Sequence, residues 1–154
     1  MEIVNPPPLE VDHAIFRLDN LDRDTVKFHL AQISPEEARL SQLWSDAAYY
    51  SLTFERLAKR REAQVYLAAK EQPYLRNTKK GVVEADCSED HLRALQKSDD
   101  YALELWGCSD LWRQRRDELA GYLSTLRNKS SLVSSLAGIT RTEMQGAYQN
   151  SSRA

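Results

Sequence analysis

The densest run of chemically active side chains in this sequence is Arg56-Leu57-Ala58-Lys59-Arg60-Arg61. On a helix, Arg56, Lys59 and Arg60 stand at i, i+3 and i+4 and share a face, so they present a compact positive surface of the kind that holds a phosphate backbone. Lys79 and Lys80 extend the basic region along the chain. Glu55 and Glu62 flank the run, and a solvated, locally paired helix face is the other reading of the same residues. Tyr49, Tyr50, Phe54, Tyr66 and Tyr74 are interleaved with the charges, and rings between cations are how single-stranded bases are held by stacking. Tyr50 and Phe54 fall on an apolar seam and are expected to pack, whereas Tyr66 and Tyr74 are expected at the surface. A second cluster, Arg113, Arg115 and Arg116, lies beside Trp112. Arg115 falls on a seam, where a cation needs a carboxylate or carbonyl partner and serves helix register or a subunit contact.

Catalysis finds no support. There is no glycine-rich phosphate loop and no nucleophile motif, and the acidic pairs Asp99-Asp100 and Asp117-Glu118 occupy adjacent helical positions that diverge. Cys87 and Cys108 lack metal-ligand spacing, and His13, His29 and His91 are scattered. Reduced, structural cysteines, no metal and no cofactor are the expectation, in a protein that is not an enzyme.

The net charge of −2 conceals a polarity. Residues 1–50 carry four basic and nine acidic side chains, whereas residues 51–80 carry eight basic and three acidic. An anionic partner feels the local field within about 10 Å at moderate salt, so it is expected to dock near 51–80 rather than respond to the bulk charge. No stretch has the roughly 20 apolar residues of a membrane span, and Met1-Glu2-Ile3-Val4-Asn5 is not a basic n-region before an apolar core, so a cytoplasmic protein is expected.

The elements that position these groups read as helices. The composition, 42% hydrophobic and 29% charged with five Gly and five Pro, is that of long amphipathic helices in one domain. Ser34-Pro35-Glu36-Glu37 has the form of a helix start, with Ser at the cap, Pro at the first position and Glu completing a capping box. Leu40, Leu43, Ala47, Tyr50, Phe54 and Leu57 follow at alternating spacings of three and four, a heptad seam, and Pro73 ends the helix near Gln72. Trp44, Ala48, Ser51 and Leu52 widen the apolar face beyond one neighbour. The stretch Pro73 to Gly81 reads as a basic loop. A second helix begins near Val82 or at Ser88-Glu89-Asp90 and carries its own seam through Leu105, Cys108, Trp112, Arg115, Leu119, Tyr122 and Leu126, displaced in phase from Leu92 and Leu95. Gly107 and Gly121 inside it suggest a close backbone neighbour or a bend.

The expected fold is all-α: a long antiparallel, coiled-coil-like helical hairpin over 34–129, with an N-terminal arm over 1–33 and a tail over 130–154 that is weakly helical or disordered. The arm, with Pro6-Pro7-Pro8 and alternating apolar runs at 14–18 and 26–30, reads as extended or a short β-hairpin. So long a hairpin must assemble, and Leu132, Leu136 and Ile139 are the tail residues expected to serve oligomerisation.

The order of features from Leu43 to Lys129 resembles the UvsY-type recombination mediators of bacteriophages. The matching segments are Leu43-Trp44-Ser45, Arg56-Leu57-Ala58-Lys59-Arg60-Arg61 with Ala63 to Ala69, Thr78-Lys79-Lys80-Gly81-Val82-Val83, and Leu111-Trp112-Arg113-Gln114-Arg115-Arg116-Asp117-Glu118-Leu119. The resemblance implies an oligomeric helical ring that binds single-stranded DNA and helps load a phage recombinase onto strands covered by single-strand-binding protein. It also implies that Lys59, Arg60 and Arg61 contact DNA and that the C-terminal segment contributes to assembly. The alternative is a scaffolding coiled-coil protein of phage assembly or packaging, in which the basic run is only a solvated face.

Overall fold

The computed structural model describes residues 4–16, 23–72, 74–78, 81–85 and 87–151. They are mostly helical. A 3-10 turn, His13–Phe16, precedes helix α1 (Arg23–Glu71, 49 residues). Strands β1 (Tyr74–Thr78) and β2 (Gly81–Ala85) form an antiparallel pair, and helices α2 (Glu89–Lys97) and α3 (Asp100–Ser151, 52 residues) follow. No described helix is long and apolar enough to cross a membrane.

Each long helix is organised by a seven-residue repeat. On α1, Val26, Ile33, Leu40, Ala47 and Phe54 are all buried, and on α3 the buried series is Leu105, Trp112, Leu119, Leu126 and Val133. Seven residues make nearly two helical turns, so each series stays on one face and can be covered continuously. Removing a side chain the size of Phe54 or Leu126 from water contributes about 1.5–3 kcal/mol.

The repeat also explains where α1 departs from expectation. The helix does not start at Ser34; it begins at Arg23 and runs through Pro35. Pro35 has no N–H to give the carbonyl of Ala31 and disfavours helical geometry in Ser34, a penalty of about 3 kcal/mol in a helix interior. Ser34 and Pro35 are both exposed, so water can serve the freed carbonyl, while burial of Val26 and Ile33 rewards the continuation. The carboxylate that would close the capping box is committed elsewhere: Glu37 Oε1 accepts from Arg127 Nε at 2.8 Å. The alternating run at 26–30 is accordingly helical and not a strand, and the described part of 14–18 belongs to the 3-10 turn. The serine-rich stretch likewise continues α3, with Val133 fully buried.

The described part of the segment read as a basic loop, residues 74–78 and 81, is instead strand, with β1 paired antiparallel to β2. Thr78 pairs with Gly81 in register, and Gly81 adopts φ +120°, a conformation that L side chains rarely enter. Ser88 caps α2, its hydroxyl accepting from His91 N–H at 3.4 Å, with Glu89 and Asp90 in the first turn. The phase slip between Leu95 and Leu105 is a break between helices: α2 closes at Ser98, and Asp99 opens α3 by accepting from the Ala102 N–H at 2.9 Å.

The chain forms two compact units. In one, residues 47–114 gather with residues 4–6. Here α1, α2 and α3 pack together, and the paired residues fall in number on α1 as they rise on α3, so those two run antiparallel. Tyr50 stacks on Trp112 with centroids 4.6 Å apart, the Ser109 hydroxyl donates to the Ser51 carbonyl at 3.0 Å, and Trp106 Nε1 donates to Glu62 at 2.7 Å. Tyr66 donates to Glu89 at 2.9 Å, tying α1 to α2. Residues 4 and 5 are held where Trp112 Nε1 donates to the Val4 carbonyl at 2.8 Å and the Cys108 thiol faces Asn5 Oδ1 at 3.8 Å. Burial pushes the Cys108 thiol up, with Glu104 adding to the effect, so it remains a protonated packing group.

The other unit comprises 7–46 and 115–154. Leu40, Leu119, Leu123, Leu126 and Val133 are buried in it. His13 and Phe16 face the Tyr122 ring at 6.3 and 5.4 Å. Arg39 donates to Glu36 and to the Glu10 carbonyl, and Arg115 donates to the Pro7 carbonyl at 2.7 Å, so residues 7–16 are fastened by guanidinium groups. Lys129 is 2% exposed and donates to the Ile15 carbonyl, with His29 Nδ1 at 3.4 Å. Burial lowers the pKa of Lys129, and burial followed by the Lys129 charge lowers that of His29.

Candidate functional site

Ala47, Phe54 and Ala58 define the buried side of α1 in the unit that contains the basic run. At 3.6 residues per turn, Tyr49, Leu52, Arg56, Lys59 and Arg60 fall on the opposite side. All five are exposed; Tyr49 and Leu52 retain 63% and 51% of their accessible surface. An aromatic and an aliphatic group therefore lead directly into three cations on one outward row.

The six expected cationic contacts separate into four groups. Arg56 and Arg60 are exposed and make no ion pair among the described residues. Lys59 is also exposed, but its Nζ lies 2.6 Å from Glu55 Oε1. Arg61 turns away from the row: its guanidinium binds both oxygens of Asp99, at 3.0 and 2.8 Å, and stands 5.9 Å from the centre of the Tyr101 ring. The hydrogen bond to Asp99 is the largest cause of its raised pKa, so Arg61 joins α1 to the start of α3 rather than presenting a free charge. Lys79 and Lys80 lie outside the described residues.

Arg113 enters the surface from α3. Its Nη2 is 3.7 Å from Glu55 Oε2, and its Nη1 is 2.8 Å from Asp110. Glu55 thus stands among several cations; hydrogen bonding from Lys59 is the first cause holding its carboxyl below the ordinary value, with Arg113 and Arg56 adding to it. Sequence reading placed Arg113 in a separate cluster with Arg115 and Arg116. Those two belong to the other unit, where Arg115 Nε lies 3.2 Å from Glu118 and Arg116 binds Asp117 at 2.8 Å.

The aromatic expectations are resolved in part. Tyr50 and Phe54 pack as their seam positions require, and Tyr66 is half-buried and committed to Glu89. The side chain of Tyr74 lies outside those described. Tyr49, named among the interleaved rings, is exposed, and Leu52, read as part of a second apolar stripe, is exposed as well; their spacing of seven from Arg56 and Lys59 puts them on the same row.

Among the residues assigned to assembly, Leu132, Leu136 and Ile139 are exposed, at 52%, 39% and 57%. In the same unit Trp44 is 39% exposed beside an open groove of 530 Å³ whose walls include Ser41, Ser45, Leu123 and Arg127.

Comparison of the chain with protein-family models, with characterised proteins and with solved structures finds no match.

Proposed function

We propose that this protein is an oligomeric single-stranded DNA-binding recombination mediator, which helps load a phage recombinase onto DNA covered by single-strand-binding protein in the cytoplasm of the infected host. The nucleic-acid part of the reading is carried by the outward row of Tyr49, Leu52, Arg56, Lys59 and Arg60, which combines a stacking ring with cations, two of them without an ion pair among the described residues. The mediator part rests on the resemblance of Leu43 to Lys129 to the UvsY-type proteins. Such a protein performs no bond chemistry; many modest phosphate contacts repeated around an assembly of copies supply avidity.

The test is fluorescence anisotropy with labelled oligothymidylate over a salt series. Wild type binds at low salt, and the double variant Arg56→Ala/Arg60→Ala loses two phosphate contacts, flattening the logarithmic salt slope by about 1.4, at about 0.7 per contact on a single strand. Absence of wild-type binding at low salt overturns the reading.

A second reading has its own observations. Trp44 beside the groove and Leu132, Leu136 and Ile139 on α3 are exposed apolar groups of the kind that meet protein partners, and Lys59 and Arg61 already have carboxylate partners within the chain. On that reading the protein is a phage scaffolding or packaging accessory. It then assembles by light scattering but leaves the oligonucleotide free.

A further inference from the structure

Three exposed or half-exposed cations, Arg56, Lys59 and Arg113, gather about Glu55, with Asp110 beside Arg113, while Arg60 continues the exposed row of α1. The arrangement is asymmetric. Arg56 and Arg60 make no ion pair among the described residues, whereas Glu55 Oε1 is 2.6 Å from Lys59 and Glu55 Oε2 is 3.7 Å from Arg113, one oxygen directed to each cation. Lys59 and Arg113 keep 61% and 43% of their side-chain surface accessible, against 27% for Glu55. The carboxylate therefore sits lower than the cations it joins, and an arriving phosphate meets the cations first.

We infer that Glu55 is a built-in competitor for the phosphate backbone: it holds Lys59 of α1 and Arg113 of α3 in one composite anion-binding surface and must give them up when nucleic acid docks. This rests on the nucleic-acid reading above and adds to it Arg113 as a binding residue and Glu55 as the group that tunes affinity. A phosphate oxygen and a carboxylate oxygen are equivalent acceptors for an ammonium or guanidinium group. Exchanging one for the other releases counterions from the strand, while Glu55 regains solvation as its partners leave. Exposed ion pairs are weak, so the exchange has little to overcome. Asp110 acts in the same sense on Arg113 alone.

The experiment is oligothymidylate anisotropy across a salt series with Glu55→Gln, Asp110→Asn, Arg113→Ala and the Arg56→Ala/Arg60→Ala double variant, each checked for unchanged helicity and melting. Glu143→Gln, an exposed carboxylate of the other unit, controls for net charge. Glu55→Gln is expected to tighten binding several-fold at moderate salt and to leave the slope unchanged, because Lys59 and Arg113 make the same phosphate contacts with no carboxylate to displace. Asp110→Asn acts in the same direction but less, Arg113→Ala flattens the slope by about 0.7, and Glu143→Gln leaves affinity and slope unchanged. If the Arg56/Arg60 variant weakens binding but Glu55→Gln does not tighten it or Arg113→Ala does not flatten the slope, the inference fails and the nucleic-acid reading stands. If Glu143→Gln tightens binding as much as Glu55→Gln, the effect is bulk charge and the inference fails. If wild type does not bind, both fail.

Discussion

Asp99 holds the guanidinium of Arg61 with both carboxylate oxygens, and the oxygen facing Arg61 Nε, at 3.0 Å, also accepts the backbone N–H of Ala102 at 2.9 Å. One side chain thereby caps α3 and ties it to α1. The Arg61 hydrogen bond is the first cause and the Ala102 N–H the second of the depressed Asp99 carboxyl. A depressed carboxyl contributes stability that is complete above its unfolded value near 3.8 and is lost as pH falls through the folded value. Arg61→Ala is expected to lower the melting temperature at neutral pH and to move acid unfolding to higher pH, while leaving oligonucleotide affinity unchanged. Arg60→Ala is expected to do the reverse. Melting curves and binding isotherms on the two variants check the contrast.

Gly107 and Gly121 are candidates for stabilisation. A Cβ built at either position meets nothing within 4 Å, so neither marks a close approach of backbones. Alanine at each site is expected to stabilise the protein by roughly 0.5–1 kcal/mol, because it restricts the unfolded chain and suits a helix interior. Urea unfolding of the single and double variants measures this. Additive gains are expected, since the two positions share no contact.

Close approach occurs instead at Ser51 and Ser109, which are 3% and 0% exposed and joined by a hydroxyl-to-carbonyl hydrogen bond. Ser109→Ala loses that bond and is expected to destabilise by about 1 kcal/mol. Ser109→Leu must force the helices apart, at about 1–3 kcal/mol. Chemical denaturation distinguishes the two, and a smaller loss for leucine than for alanine would contradict the packing described.

His29 makes the unit containing Lys129 sensitive to acid. Burial and the Lys129 charge both lower its folded pKa, so below the unfolded value of 6.5 the unfolded chain binds the additional proton and is favoured. Stability is expected to be complete above 6.5, to decline as pH falls through the window between 6.5 and the lower folded value, and to level off beneath it. His29→Gln removes this part of the decline. Denaturation midpoints recorded on both sides of 6.5 for the two proteins test the sign.

Much of the helical framework was readable because a seam at spacings of three and four leaves few alternatives. Leu40 to Phe54 and Leu105 to Leu126 pack as those spacings imply. The errors came where a local signal opposed a distant one. Ser34-Pro35-Glu36-Glu37 has every local mark of a helix start, yet burial of Val26 and Ile33 carries the helix past it. Lysine-rich surroundings concealed the pair of strands, whose signals were Gly81 and the β-branched pair Val82-Val83. The basic run was evident, but its division was not: Arg61 meets Asp99 across 38 positions and Glu55 on α1 meets Arg113 on α3, pairings that no spacing rule within one helix supplies.

Pro35 gives α1 a fallback terminus. The residues that would stop a shorter helix are already in place, with Ser34 to cap it and acidic groups in the next turn, and the ladder is already interrupted at Ala31. Turns 23–33 can therefore unwind as a separate step, leaving a properly ended rod behind, and amide protons there should exchange with deuterium well before those around Phe54.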